Sequence, residues 1–190
     1  MMATLVVHAD PMSRSDPSLW TQAILSFWFE ETRPWQWFRQ SNQFDWLVSR
    51  RFGQLSVEAQ NGGLLNWEHD QASCLALVLL LDQFSRQIWR DSPLAYEGDV
   101  RALRLSQGAL RQGWIAAEPV RARRQFWLMP MLHSECVDVV KGAIPLLERF
   151  VDLDTADLAR RNRITLMRYG YYPWREDVRE RWLTASLTTS

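Results

Sequence analysis

The sequence predicts an all-α protein of stacked antiparallel helical hairpins, with seven to nine helices and no sheet. Three observations carry this: apolar stripes recur at helical spacing, capping and stopping residues punctuate them, and strand-like alternation is missing. The 190 residues suffice for one domain with a single sizeable core. The division expected is a flexible segment 1–15, one helical domain over 16–187 and a tail 188–190.

Asp16-Pro17 is a cap followed by proline at the first helical position. Leu19, Trp20, Ala23, Ile24, Phe27 and Trp28 then recur at helical spacing as far as Pro34. A second helix starts near Ser41-Asn42, turns Phe44, Leu47, Val48, Leu55 and Ala59 inward, and stops at Gly62-Gly63. The third spans about 70–90. Ser92-Pro93 opens a short helical turn, Asp99 reads as the next cap, and Gly113 as its stop. Glu118-Pro119 begins a helix in which Pro130 should bend or break the chain just before His133. Val137, Val140, Ile144, Leu147 and Val151 form another stripe, disturbed by Pro145. Asp154-Thr155 caps a helix ended by Gly170, and 175–187 is the last.

The third helix carries the chemistry. At 100° per residue, Leu77, Leu81, Phe84 and Ile88 form one apolar stripe. Leu75, Val78, Leu79 and Trp89 fall on the other side, together with Asp82 and Arg86. A helix apolar on both sides is central in its domain. An acid and a base four residues apart are therefore expected indoors, where unpaired charge costs several kcal/mol. Gln83 and Arg90 extend this group.

Composition narrows the classes. Lys+Arg and Asp+Glu number 22 each, giving a formal net charge of +0, so neither nucleic acid nor a membrane surface is an expected partner. Lys141 is the only lysine. Cys74 and Cys136 are too far apart for a zinc or redox motif and fit a reducing cytoplasm. The longest apolar run, Cys74 to Leu81, is far short of the ~20 residues that span a bilayer. The amino terminus has no signal-peptide pattern. Walker, Rossmann, H-E-x-x-H, EF-hand and G-x-S-x-G patterns do not occur, and neither cofactor nor metal is expected.

His133-Ser-Glu135-Cys136 is the one compact group of potential catalysts. A general acid–base role for His133 with Glu135 as its orienter is chemically sound, although a histidine at a helix end more often caps or packs. Trp35-Gln-Trp37-Phe38 and Tyr169-Gly-Tyr-Tyr-Pro-Trp174, with Arg33, Arg39, Arg168 and Arg175, read as aromatics filling the ends of a helical stack.

Several blocks together resemble the domain-of-unknown-function 924 family. They are Ile24-Leu-Ser-Phe-Trp-Phe29, Phe44-Asp45 with Arg51-Phe52, Leu80-Leu-Asp-Gln-Phe84 with Arg86, Pro93 with Ala95 and Asp99, and Met129-Pro-Met-Leu-His-Ser-Glu135. The resemblance implies a fold like tetratricopeptide helical pairs and no established activity. The family usually reads Arg-Phe-Gly-Arg-Phe-Pro-His-Arg-Asn where this chain has Arg168-Tyr-Gly-Tyr-Tyr-Pro-Trp-Arg-Glu176. An earlier family histidine is Asn162 here. Measured against that pattern, two imidazoles and one cation are missing.

The function expected first is a binding module for a small anionic ligand or peptide. Arg86, Arg90, Arg168 and Asn162 would donate hydrogen bonds, with Asp82 and Gln83 orienting them. The alternative is a cofactor-independent hydrolase or lyase using His133 and Glu135, with Asp82 or Arg86 positioning the substrate. A partner-binding module without a pocket is the third reading, and no oligomeric state is implied.

Overall fold

The computed structural model describes residues 17–188, all in helices and their connections, with no strand among them. The Asp16 cap, segment 1–15 with His8, and residues 189–190 of the expected tail lie outside the described residues. α1 (Pro17–Ser26) runs into a π-helical turn, Phe27–Glu31, and a 3-10 turn, Pro34–Gln36, leads to α2 (Asn42–Gln60). After the 3-10 turn Leu65–His69, α3 (Gln71–Val78), a π-helical segment (Leu79–Phe84) and α4 (Ser85–Ile88) form one continuous rod. The 3-10 turn Pro93–Tyr96 precedes α5 (Asp99–Arg111), α6 (Trp114–Ala117), α7 (Arg121–His133), α8 (Val137–Phe150), α9 (Leu153–Tyr169) and α10 (Pro173–Thr188). Counting the rod once, these are nine helices among the described residues.

Short polar side chains start the helices by accepting otherwise orphaned backbone N–H groups. Ser41 accepts from Phe44 N–H at 3.3 Å, Asp70 from Ala72 at 3.3 Å and Ser92 from Leu94 at 3.3 Å. Gly113 and Gly170 follow α5 and α9 with φ of 77° and 79°, the left-handed geometry that ends a helix. Four expectations are corrected. Leu47, expected inward on α2, is 37% exposed. The cap of α9 is Asp152, which takes Thr155 N–H at 2.8 Å, and Asp154 lies inside the first turn. Asp99 is the first residue of α5, preceded by Gly98 at the cap position, and its carboxylate is used elsewhere. α7 stays helical through Pro130, and the chain breaks only after His133.

The rod occupies the centre, packed by α1, α2, α5 and α7. Cys74 through Leu81 are buried without exception, as the two-sided apolar pattern requires. Phe27, Trp28, Phe44, Phe52 and Phe84 stack and tilt against one another on one flank of the rod. Each such buried ring contributes roughly 1.5–3 kcal/mol. Trp37 joins this core and donates its indole N–H to Trp28 O at 2.9 Å, whereas Trp35 and Phe38 are exposed.

Gly98 fixes where α5 meets the rod. A Cβ there would stand 2.5 Å from the carbonyl oxygen of Leu81, so only glycine permits this approach. The approach brings Asp99 beside the segment that carries Asp82. α7–α8 and α8–α9 pack as consecutive hairpins, and α10 folds back onto the 3-10 turn Pro93–Tyr96.

Candidate functional site

Asp82 lies in the π-helical segment, the kind of widened turn that recurs at functional sites. It is fully buried, so each carboxylate oxygen must be satisfied by protein. Oδ1 is 2.8 Å from Nδ1 of His133, and Oδ2 accepts the Gln83 amide N–H at 2.5 Å. Arg86 donates to the backbone oxygen of Asp82 and stands 3.5 Å from Oδ1. The i,i+4 pair is thus present but loose, because a histidine 51 residues away has taken the nearer place.

A second carboxylate completes the arrangement. Asp99 receives Arg86 at 3.0 Å and Arg175, from α10, at 3.0 Å. Arg175 also donates to the backbone oxygen of His133 at 2.8 Å, and its guanidinium lies 4.6 Å from the ring centre of Tyr96. Tyr172 donates its hydroxyl to the Leu132 and Ser134 carbonyls at 3.1 and 3.0 Å, and the Asn162 amide reaches the Leu132 carbonyl at 3.2 Å. The end of α7 is therefore held from α9 and α10, which fixes the His133 backbone and the direction of its ring. Arg90 makes a two-toothed pair with Asp45 of α2, at 2.6 and 2.7 Å.

These groups border a cavity of about 590 Å³. Arg86, Arg90, Arg161 and Arg175 are on its wall, with His133, Asn162, Tyr96 and Trp174. A smaller recess of about 180 Å³ is bordered by Gln83, Gln87, Met129, Trp37 and Phe38. His133, Arg86 and Arg90 border both spaces, so the imidazole stands where they meet.

Burial pushes the Asp82 carboxyl upward, but the neighbouring His133 and Arg86 outweigh it and hold the group far below the usual carboxylate range. The opposite balance holds at Asp99: burial, joined by the charge of Asp82, outweighs Arg86 and Arg175 and raises it. Burial pushes the Tyr172 hydroxyl up to about 12, so it remains a donor. An ionised Asp82 can only accept, so His133 Nδ1 carries the proton of that contact. In the neutral form of the ring the lone pair lies on Nε2, which makes no hydrogen bond among the described residues.

Of the residues singled out from sequence, Asp82, Gln83, Arg86, Arg90, His133 and Asn162 come together here. Glu135 does not orient His133: it is exposed, and its carboxylate accepts the backbone N–H of Tyr172 at 2.9 Å. Arg168 lies outside the cavity, exposed and stacked on Tyr169, and Arg175 stands at the site instead. Sequence reasoning assigned no site role to Asp99, Arg175, Arg161, Tyr172, Gln87 or Asp45. Their only signals were a residue mistaken for a cap, an arginine flanking aromatics, and membership of the blocks carrying the family resemblance. Among the described residues no three His, Cys, Asp or Glu side chains gather as a metal ion would need.

The fold and site define a class: an all-helical domain whose central rod carries a buried carboxylate paired with a cavity-facing histidine. The chain belongs to the family described as "Bacterial protein of unknown function (DUF924)", whose model matches residues 24–186. It is similar to a solved protein of unknown function from Agrobacterium tumefaciens, with 28% identity and a TM-score of 0.79, over 86% of this chain and 91% of that one. No curated protein matches it.

Proposed function

We propose that this protein binds a small anionic molecule in the 590 Å³ cavity. One observation carries the reading: four arginines border the space against a single carboxylate, Asp91, while the carboxylates that partner three of them, Asp45, Asp82 and Asp99, sit behind the wall. Arg161 is exposed there and has no ion pair among the described residues. Guanidinium groups held by such pairs are preorganised donors for carboxylate or phosphate. The volume falls within the ~300–1,000 Å³ typical of small-molecule sites, and Trp174 and Tyr96 supply flat surfaces for the rest of the ligand. No described helix is long and apolar enough to cross a membrane, and neither cysteine is bonded. Both facts support a cytoplasmic setting, so the ligand class we assign is an anionic metabolite.

The test uses inorganic phosphate, citrate and a panel of anionic metabolites with the full chain. A ligand of the native state raises the melting temperature by mass action, by an amount that grows with its concentration. We expect such a rise, reduced at least several-fold in Arg161→Ala. A melting temperature unmoved by every compound, or a rise the same in Arg161→Ala, overturns the reading.

A further inference from the structure

Resting on that cavity, we infer that His133 is a general base whose Nε2 takes a proton from the bound molecule, with Asp82 as its positioning residue. The imidazole is bound on one side and open on the other: Nδ1 is fixed at 2.8 Å by a buried carboxylate, while Nε2 has no partner where the cavity and the recess meet. A histidine that merely packs has no need of an ionised, fully buried carboxylate behind it, since burying that charge costs several kcal/mol. The arrangement is instead that of a base held in one tautomer by an acid that does not itself react.

The cavity wall points to the ligand. Arg86, Arg90, Arg161 and Arg175 border the space beside His133, so the substrate class is an anion whose acidic proton lies within hydrogen-bond reach of Nε2. In the step, the lone pair of Nε2 takes the proton and the electrons of the broken bond stay on the substrate. The imidazolium then returns that proton to a second atom of the same molecule or to a departing group. Isomerisation or elimination balances in this way with no oxidant or co-reactant.

Every charged or titratable group around the ring enters its pH behaviour. The rod supplies Asp82 and Arg86, the turn after it Arg90 and Asp91, the segment before α2 Arg39, α5 Asp99, α9 Arg161, and α10 with the residue before it Arg175 and Tyr172. Tyr96 faces the cavity from its 3-10 turn, and Glu135 follows His133 in the chain.

The probe is 5-nitrobenzisoxazole, a flat molecule that reports a general base directly. Loss of its ring C–H proton to the base breaks the N–O bond, forms a nitrile and releases a coloured phenolate. Full-length protein is expected to exceed His133→Asn and His133→Gln by about 10²-fold, with all three melting within a few degrees of each other. The asparagine amide can still donate to Asp82, so fold and base are separable. Asp82→Asn should shift the pH–rate profile to lower pH, because the imidazolium loses its counter-charge. Equal rates in wild type and both His133 variants overturn the inference, as does a profile unmoved by Asp82→Asn. If phosphate stabilises the protein while no elimination depends on His133, the base fails and the binding site stands. Elimination that needs His133 without any anion binding is the reverse case.

Discussion

Two of the charge clusters that brace this fold differ in what adjoins them. Glu68, in the 3-10 turn before α3, receives Arg101 at 2.8 Å and Arg104 at 2.9 Å, and Arg101 also donates to the Ala59 carbonyl at 2.7 Å. Arg101 engages both Glu68 and the Ala59 carbonyl, and the cluster ties α2 to α5. Nearby Cys74 is inert, its thiol pushed up to about 12 by burial and by the charge of Glu68. The Asp82 cluster has similar ingredients but differs in three respects: a histidine replaces one arginine, one ring nitrogen is left open, and a cavity adjoins it. Buried charge by itself therefore marks a brace. Buried charge that ends in an unsatisfied atom facing free volume marks a candidate site.

Substitutions can break this contrast. Asp82→Ala should be the largest, costing about 3–5 kcal/mol in urea unfolding, because it strands His133, Gln83 and part of Arg86 in the interior. Glu68→Ala should cost less, about 2–3 kcal/mol, since Arg104 is largely exposed and only Arg101 loses a buried partner. Gly98→Ala should cost roughly 1–3 kcal/mol, because its Cβ would press on the Leu81 backbone. It should also weaken any anion binding as Asp99 shifts. Arg104→Ala, at under about 1 kcal/mol, is the smallest.

Acid sharpens the contrast further. Asp82 is held below its unfolded value, so its stabilisation is complete above roughly pH 3.9 and fades as the pH falls toward the depressed value. The stability gap between wild type and Asp82→Asn should narrow as the pH falls below about 4. Asp99 has the opposite sign. Its ionisation opposes folding at neutral pH, and that opposition is relieved as the pH falls through its raised value. A gap that narrows well above pH 4 would mean that Asp82 is not held by His133 and Arg86.

Local rules made much of this legible. The two-sided apolar pattern around Leu75–Leu81 placed the rod at the centre and Asp82 inside it. Ser41, Asp70, Gly113 and Gly170 marked helix ends by chemistry that needs no tertiary information. What was hidden is long-range. Glu135 was paired with His133 because it is near in sequence, yet the helix ends between them and points Glu135 toward Tyr172. Asp99 looked like a cap because nothing local reveals that Gly98 lets the chain slide against Leu81. Arg168 and Arg175 lie on either side of the reversal at Gly170, and only the packing of α10 decides that the second one faces inward.

The widened turn at Leu79–Phe84 sets the rotational phase of everything after it. Removing one residue there to restore ordinary spacing would swing Arg86 by about 100° around the rod, away from the cavity wall. A single-codon deletion in that stretch would thus turn Arg86 out of the cavity wall without altering it, while Arg161 and Arg175, carried on α9 and α10, would keep the phase of their own helices.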